Sequence, residues 1–92
     1  MIASFNDKET ESLYRDGSSK RFGAIAKVAF RKLDMINAAA ELSDLQSPPG
    51  NRLEPLKGDR LGQHSIRIND QWRICFIWRD GAAHSVEIVD YH

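Results

Sequence analysis

The first half of the chain has the hydrophobic spacing of helices. Asn6 followed by Glu9 resembles a capping box, which predicts a short helix that ends near Arg15, before the break at residues 16–19. Beyond that break, apolar residues recur at intervals of three and four positions, which places them on one side of a second, longer helix. These residues are Phe22, Ile25, Ala29, Leu33, Ile36 and Ala40.

The second half of the chain changes to the alternating pattern of strands that have one buried face. The change follows Ser47-Pro48-Pro49-Gly50-Asn51, because prolines and glycine do not continue a helix. The turn sequences Asn69-Asp70 and Asp80-Gly81 separate the alternating runs and are typical of hairpins. The alternating positions are His64, Ile66 and Ile68, then Trp72, Ile74, Phe76 and Trp78, then His84, Val86 and Ile88.

These elements predict a single α+β domain over residues 1–92. Met1 to Phe5 predicts a short N-terminal strand, the two helices follow it, and the alternating runs form an antiparallel β-meander. Because only one face of such a sheet is apolar, we expect both helices to pack on that face.

Composition narrows the class of protein. The 92 residues are 41% apolar, which is typical of a folded globular domain rather than a disordered chain. No apolar stretch approaches the roughly 20 residues of a membrane span, and the N-terminus lacks the basic and apolar regions of a signal peptide. A single cysteine, Cys75, cannot form an internal disulfide. We therefore expect a cytoplasmic protein that has no contact with a membrane.

The formal net charge of zero hides an uneven distribution of charge. Between Arg52 and Arg79 there are six basic residues and three acidic ones, and a second basic group lies within residues 20–32. The acidic residues concentrate at positions 7–11 and 41–44. The net charge of zero argues against a nucleic-acid partner, whereas a locally basic face would suit one, because it attracts phosphates, and both readings stay open here.

Arg73 lies in the middle of the most apolar run, on the face opposite Trp72 and Ile74. Arg67 likewise lies opposite the apolar residues of the preceding run, and Lys57 and Arg60 flank a glycine upstream. These cations either face solvent on an open sheet or surround an anion. A guanidinium group suits a phosphate, since it offers two parallel hydrogen bonds.

The sequence Asp90-Tyr91-His92 adds groups that can transfer protons. An imidazole with a pKa of about 6.5 suits proton transfer near neutral pH, and Glu54 is a carboxylate that can take a proton from a hydroxyl group. A carboxylate, an imidazole and cations suffice for cleavage of RNA without a metal. The histidines lack the spacing of metal ligands, so the sequence predicts no metal and no cofactor.

Alternation also raises a geometric difficulty. It places Arg73 and Tyr91 on one face of the sheet, and Asp90 and His92 on the other face with the core. A bulge near Asp90 would be needed to gather all of these groups.

Three blocks of the sequence resemble HigB-type toxins of the RelE/ParE superfamily. They are Pro55-Leu56-Lys57-Gly58-Asp59-Arg60, Asn69-Asp70-Gln71-Trp72-Arg73-Ile74 and Asp90-Tyr91-His92, and the opening Met1 to Phe5 is also similar. The resemblance implies a RelE/ParE-like fold and a bacterial type II toxin that enters the A site of the small ribosomal subunit and cuts mRNA without a metal. It also implies a cognate helix-turn-helix antitoxin, through which alone operator DNA would be bound.

The resemblance also implies roles for individual residues. By position, Lys57 and Arg73 would bind the scissile phosphate. The terminal Asp90, Tyr91 and His92 would supply proton transfer, orientation and base stacking. Phosphates of ribosomal RNA would be contacted by the remaining basic residues, namely Lys20, Arg21, Arg60 and Arg67.

Glu54 departs from the pattern, since similar toxins can carry a histidine at this position. A glutamate can act as a base, but it donates a proton only if its pKa is raised, and it repels phosphate. We therefore expect weaker cleavage. Two other functions stay open: a non-enzymatic toxin that inhibits a protein target such as a topoisomerase, and a ribosome-binding module without cleavage. The Asp-Tyr-His sequence favours the enzyme.

Overall fold

The computed structural model describes residues 1–91, which form two α-helices and a four-stranded sheet. The strands lie side by side in chain order, and each neighbouring pair is antiparallel. The elements are α1 (Lys8–Asp16), α2 (Ala26–Ala38), β1 (Glu54–Pro55), β2 (His64–Arg67), β3 (Trp72–Arg79) and β4 (Ala82–Asp90). The predicted α+β class and the meander are confirmed. Strand β1 was not predicted, because two residues that include a proline carry no alternation.

Both helices pack on one face of the sheet, as predicted. Their buried residues contact the apolar side of strands β2, β3 and β4 in one continuous core. Burial of this apolar surface is the main force that stabilises the fold. The fully buried members from the helices are Leu13, Ala29, Leu33 and Ile36, and those from the strands are Ile66, Ile74, Phe76, Ala83 and Val86.

The helix ends differ from the prediction, most of all at the start of the second helix, where Phe22 precedes a 3₁₀ helix (Gly23–Ile25) and α2 begins only at Ala26. The predicted capping box at Asn6 is wrong, because Asp7 is the N-cap of α1 and its carboxylate accepts a hydrogen bond of 3.1 Å from the N–H of Thr10. Helix α2 ends at Ala38, so Ala40 is exposed beyond it, and Ala39 is buried instead. Side-chain spacing did not locate these ends, because neighbouring polar or alanine residues compete for the same role.

The two predicted hairpin turns are confirmed. Asp80 (φ 53°) and Gly81 (φ 77°) both adopt the left-handed conformation that a two-residue turn between antiparallel strands requires. The side chain of Asn69 accepts hydrogen bonds of 2.8 Å from the N–H groups of Gln71 and Trp72. These turns align β2 with β3, and β3 with β4.

Strand β4 contains a bulge. Cys75 pairs with Glu87, but Ile77 pairs with His84, so β4 has one extra residue between these pairs. Ser85, with φ at 52°, lies in this stretch. The prediction that His84 shares the face of Val86 and Ile88 is therefore wrong. The bulge reverses the alternation, and Ala83 takes the buried position instead.

The predicted N-terminal strand is present as two parallel bridges rather than a continuous strand. Ile2 pairs with Ala83, and Phe5 pairs with Val86, so this segment covers part of the outer edge of β4. Farther along, the hydroxyl of Thr10 accepts a hydrogen bond of 3.1 Å from the N–H of Ile88. Covering an edge strand in this way satisfies its free backbone groups. Neither helix in the described part of the chain is long and apolar enough to cross a membrane.

Candidate active site

The face of the sheet that the helices leave uncovered carries charged and polar residues. The strand register aligns Glu54, Ser65, Cys75 and Glu87 in one row that crosses all four strands. A second row contains Arg67, Arg73 and Val89. Directly paired residues of antiparallel strands point to the same side, so these two rows share one surface, which we call the open face.

Arg73 is held in one orientation at the centre of the open face. Its Nε donates a hydrogen bond of 2.8 Å to Oγ of Ser65, and its Nη2 donates one of 2.8 Å to the carbonyl oxygen of Arg52. Arg52 has a left-handed conformation (φ 46°) at the end of the 3₁₀ helix Pro49–Asn51. Only 12% of the Arg73 side chain is exposed, so the guanidinium is largely withdrawn from water.

Glu54 is the carboxylate that faces this guanidinium. Its Oε1 lies 3.4 Å from Nη2 of Arg73, and half of the Glu54 side chain is exposed. The pair is therefore an ion pair at the rim of the site, where water can replace either partner. A carboxylate beside a fixed cation can accept a proton from a hydroxyl group that approaches the same position.

Tyr91 lies on the same side of the sheet as Arg73, as alternation predicts. Its ring centroid is 5.9 Å from Cζ of Arg73, within the range of a cation–π contact. Its backbone N–H donates to the carbonyl oxygen of Gln71. The ring is 42% exposed, so it can also contact another flat group.

Asp90 lies on the other side of the sheet. It pairs directly with Trp72, whose side chain packs against the helix-side core. Its Oδ2 accepts a hydrogen bond of 3.2 Å from Nε2 of Gln71. The bulge of β4 lies upstream, and the register from Glu87 to Asp90 is regular, so it does not turn Asp90 toward Arg73. The predicted site residue His92 lies outside the described residues.

The turn between β1 and β2 brings a second arginine to the open face. Residues Gly58–Arg60 form a 3₁₀ helix, and Lys57 is exposed at its start. Nη1 of Arg60 donates to Oε1 of Glu87 at 2.8 Å and to Oε1 of Gln63 at 3.0 Å. The hydrogen bond with Glu87 raises the pKa of the Arg60 guanidinium above its ordinary value. The turn therefore reaches from β1 across the sheet to β4.

Cys75 is fully buried beneath these charged side chains. Burial raises the pKa of its thiol above the ordinary value, although the nearby Arg60 and Arg73 oppose this effect. A buried thiol with a raised pKa is a poor nucleophile. Cys75 therefore fills the space beneath the charged side chains of the site as a neutral, compact residue.

The other predicted RNA-binding residues lie on two different surfaces. Arg67 is opposite Arg73 on the open face and forms an ion pair with Asp70. Lys20 and Arg21 belong to the helical layer, where Arg21 forms an ion pair of 2.5 Å with Glu9. The structure thus gathers Glu54, Arg60, Arg67, Arg73 and Tyr91 on one face and leaves Lys20, Arg21 and Asp90 on the other side.

Sequence reasoning missed three contributors to this site. Ser65 lies two positions before Arg67, and Glu87 lies four positions before Tyr91. Alternation therefore places each of them on the same face as its partner and could have identified both. The carbonyl oxygen of Arg52 had no side-chain signal. Among residues 1–91, no group of three or more His, Cys, Asp or Glu side chains is arranged to hold a metal ion.

Comparison with known proteins agrees with this geometry. The crystal structure of YafQ from Escherichia coli superposes with a TM-score of 0.61, covering 98% of this chain and 93% of YafQ at 13% identity. At that identity the likeness shows the fold, which is the α+β architecture described above.

Sequence relatives identify the family. The chain belongs to the RelE-like toxins of type II toxin–antitoxin system HigB, a family that it matches over residues 3–92. It is 45% identical over 85 residues to "Toxin HigB-1" of Vibrio cholerae, covering 90% of each chain. It is 36% identical over 95 residues to "Endoribonuclease HigB" of Proteus vulgaris, covering all of both chains. The resemblance to HigB-type toxins is confirmed, and a toxin of this class has an antitoxin partner.

Proposed function

We propose that this toxin is a ribosome-dependent endoribonuclease that cuts mRNA in the A site of the small subunit without a metal. One observation carries the proposal: Arg73 is fixed by Ser65 and Arg52, with a carboxylate and an aromatic ring on either side of it. A relative is named as an endoribonuclease, which supports the same chemistry.

In the proposed reaction, the ribose 2′-OH attacks the neighbouring phosphorus. Glu54 takes the 2′-OH proton as a new bond forms between the 2′ oxygen and phosphorus. The bond from phosphorus to the 5′ oxygen breaks, and that oxygen takes a proton from Tyr91 or His92, while Asp90, on the other side of the sheet, takes no direct part in this transfer. Lys57 and Arg73 stabilise the negative charge that develops on the phosphate. The products are a 2′,3′-cyclic phosphate and a 5′-hydroxyl end.

Glu54 limits this reaction in two ways. It is an anion next to the phosphate, and its ion pair with Arg73 must open before phosphate can take its place. We expect that the substitution Glu54→His increases the rate of single-turnover cleavage, because a neutral imidazole accepts the proton without repelling phosphate. An unchanged rate would contradict this role.

The outer parts of the site fit RNA as a ligand. The exposed ring of Tyr91 can stack on a base of the A-site codon. The basic residues Lys20 and Arg21 on the helical side and Arg67 on the open face would contact ribosomal RNA phosphates on two sides of the toxin. We further propose that the protein acts in the cytoplasm and is neutralised by a helix-turn-helix antitoxin, which alone contacts operator DNA.

The test uses ribosomes programmed with an mRNA whose A-site codon is known. We expect mapped cuts in that codon with the natural protein, and none with Arg73→Ala or with a variant that lacks His92. Arg79→Ala is the matched control, because Arg79 belongs to the same strand and has the same parity but lies at the other end. This control should keep the cuts.

Intact mRNA at a large excess of the natural protein would disprove the nuclease. Binding to ribosomes without cuts would then support a ribosome-binding module. If ribosomes are not bound either, a protein target such as a topoisomerase would be the next candidate.

A further inference from the structure

Two arginine–glutamate pairs share the open face. Glu54 and Glu87 stand at the two ends of the same row, with Ser65 and Cys75 between them. The neighbouring strands of a sheet are about 4.8 Å apart, so the Cα atoms of the two glutamates are about 14 Å apart. Each carboxylate faces one guanidinium of the site.

The two pairs differ in how firmly they are held. Nη1 of Arg60 lies 2.8 Å from Oε1 of Glu87, and the two side chains are 31% and 20% exposed, respectively. Nη2 of Arg73 lies 3.4 Å from Oε1 of Glu54, and the Glu54 side chain is 50% exposed. A short, shielded ion pair is harder to replace than a long, exposed one, because water competes less with it.

The two arginines also depend on their glutamates to different degrees. Without Glu54, Arg73 would keep its hydrogen bonds to Ser65 and to the carbonyl oxygen of Arg52. Without Glu87, the guanidinium of Arg60 would keep, among residues 1–91, its hydrogen bond to the side chain of Gln63. Glu87 is therefore needed to place Arg60, whereas Glu54 is not needed to place Arg73.

Both guanidinium groups border the same small area. Arg73 pairs with Val89 and Cys75 pairs with Glu87, so Glu87, which holds Arg60, is the diagonal neighbour of Arg73 on the same face of the sheet. The ring of Tyr91 lies 5.9 Å from Cζ of Arg73 on this face. A ligand that replaced Glu54 at Arg73 would thus approach Arg60 as well.

We propose that Arg60 and Arg73 form one two-arginine site for an RNA phosphodiester, in which Glu87 is a positioning residue that stays paired with Arg60 and Glu54 is the carboxylate that the phosphate displaces. The inference depends on the proposed function for the identity of the ligand. Phosphate is suited to this exchange, since it accepts paired hydrogen bonds from a guanidinium, and the displaced carboxylate of Glu54 stays beside the phosphate, where it can take the 2′-OH proton.

The test measures binding of the toxin to ribosomes whose A-site codon carries 2′-deoxyriboses, so that no cleavage can occur. Glu54→Ala and Glu87→Ala are matched variants, because each removes one negative charge from the same row of the sheet. We expect that Glu54→Ala binds about 5- to 10-fold more tightly, since no carboxylate competes with the phosphate. We expect that Glu87→Ala binds at least about 3-fold more weakly, because Arg60 loses its position.

Two further variants separate positioning from charge. Glu87→Gln should recover part of the lost affinity, because its amide oxygen still accepts a hydrogen bond from Arg60. Arg60→Ala combined with Glu87→Ala should bind no more weakly than Arg60→Ala alone, since the glutamate acts through the arginine. Circular dichroism checks that each variant is folded.

The outcomes distinguish this inference from the proposed nuclease. Equal tightening by the two alanine variants would show a simple effect of net charge and would overturn the two-arginine site, as would additive losses in the double variant. The expected binding pattern together with an intact ribose codon would leave the site standing and disprove the nuclease. A natural protein that fails to bind ribosomes would overturn both.

Discussion

The two faces of the sheet are built from the same strands but by different interactions. The helix side is a continuous apolar core that contains Ile66, Ile74 and Phe76. The open face has hydrogen bonds and ion pairs around one buried thiol, Cys75. Alternate residues of a single strand therefore serve different purposes. Stability depends mainly on one set, and the candidate chemistry on the other, so the two should respond separately to substitution.

The largest effect should come from the helix side. Phe76→Ala removes a fully buried ring, and we expect it to lower the free energy of unfolding by about 3–5 kcal/mol. Ile77→Ala is the control, because the adjacent Ile77 is only half-buried and has the opposite parity. Urea unfolding measures both. Equal losses would mean that the open face contributes as much to stability as the helix side.

The next effect should be larger in cleavage than in stability. Arg73→Lys keeps the positive charge but cannot reproduce the planar contacts to Ser65 and Arg52. We expect cleavage in programmed ribosomes to slow by about 100-fold, while the free energy of unfolding falls by only about 1–2 kcal/mol, because two hydrogen bonds are lost. Cleavage at nearly the natural rate would show that charge alone suffices at this position.

A smaller effect is expected on both the free energy of unfolding and the rate of cleavage. Ser65→Ala leaves Nε of Arg73 without its acceptor, and we expect a loss of about 1 kcal/mol in stability and a cleavage rate about 5-fold lower. Combined with Arg73→Lys, the same substitution should slow cleavage no further, because the contact is already absent. A full additional loss in the double variant would contradict a shared role.

The smallest effect should come from the rim. Asp70→Asn breaks the ion pair with Arg67, but the Asp70 side chain is 99% exposed. Such pairs are screened by water and salt, so we expect stability to change by less than about 0.5 kcal/mol. Thermal unfolding at two salt concentrations measures it. A larger change would give the second row of the open face a structural role that its exposure does not indicate.

The fold was predictable wherever a pattern repeats. Strands β2 and β3 followed from alternation because burial on one face constrains every second residue. The bulge at Ser85 was not predictable, because one extra residue in a left-handed conformation leaves no mark on composition. Strand β1 was too short to show a period. Regular strands can be recognised from the spacing of their side chains, whereas bulges and very short strands depend on tertiary contacts.

The site was predictable in part for the same reason. Parity alone placed Arg73 and Tyr91 on one face, and the structure agrees. The contact between Arg60 and Glu87 joins residues 27 positions apart, so no local pattern could reveal it. The blocks that resemble HigB-type toxins pointed to the right segments, but they did not show that Arg60, Arg67 and Arg73 each already have a carboxylate beside them.

The segment before α1 affects the order in which the parts of the toxin fold during its synthesis. Ser4 accepts a hydrogen bond from the N–H of Ser85, 81 positions later in the chain. The edge of the sheet can close only after β4 has left the exit tunnel of the ribosome, and β4 also carries Glu87. An unfinished chain thus lacks the assembled open face. The ribosome that synthesises this toxin is not exposed to the assembled open face before β4 has emerged.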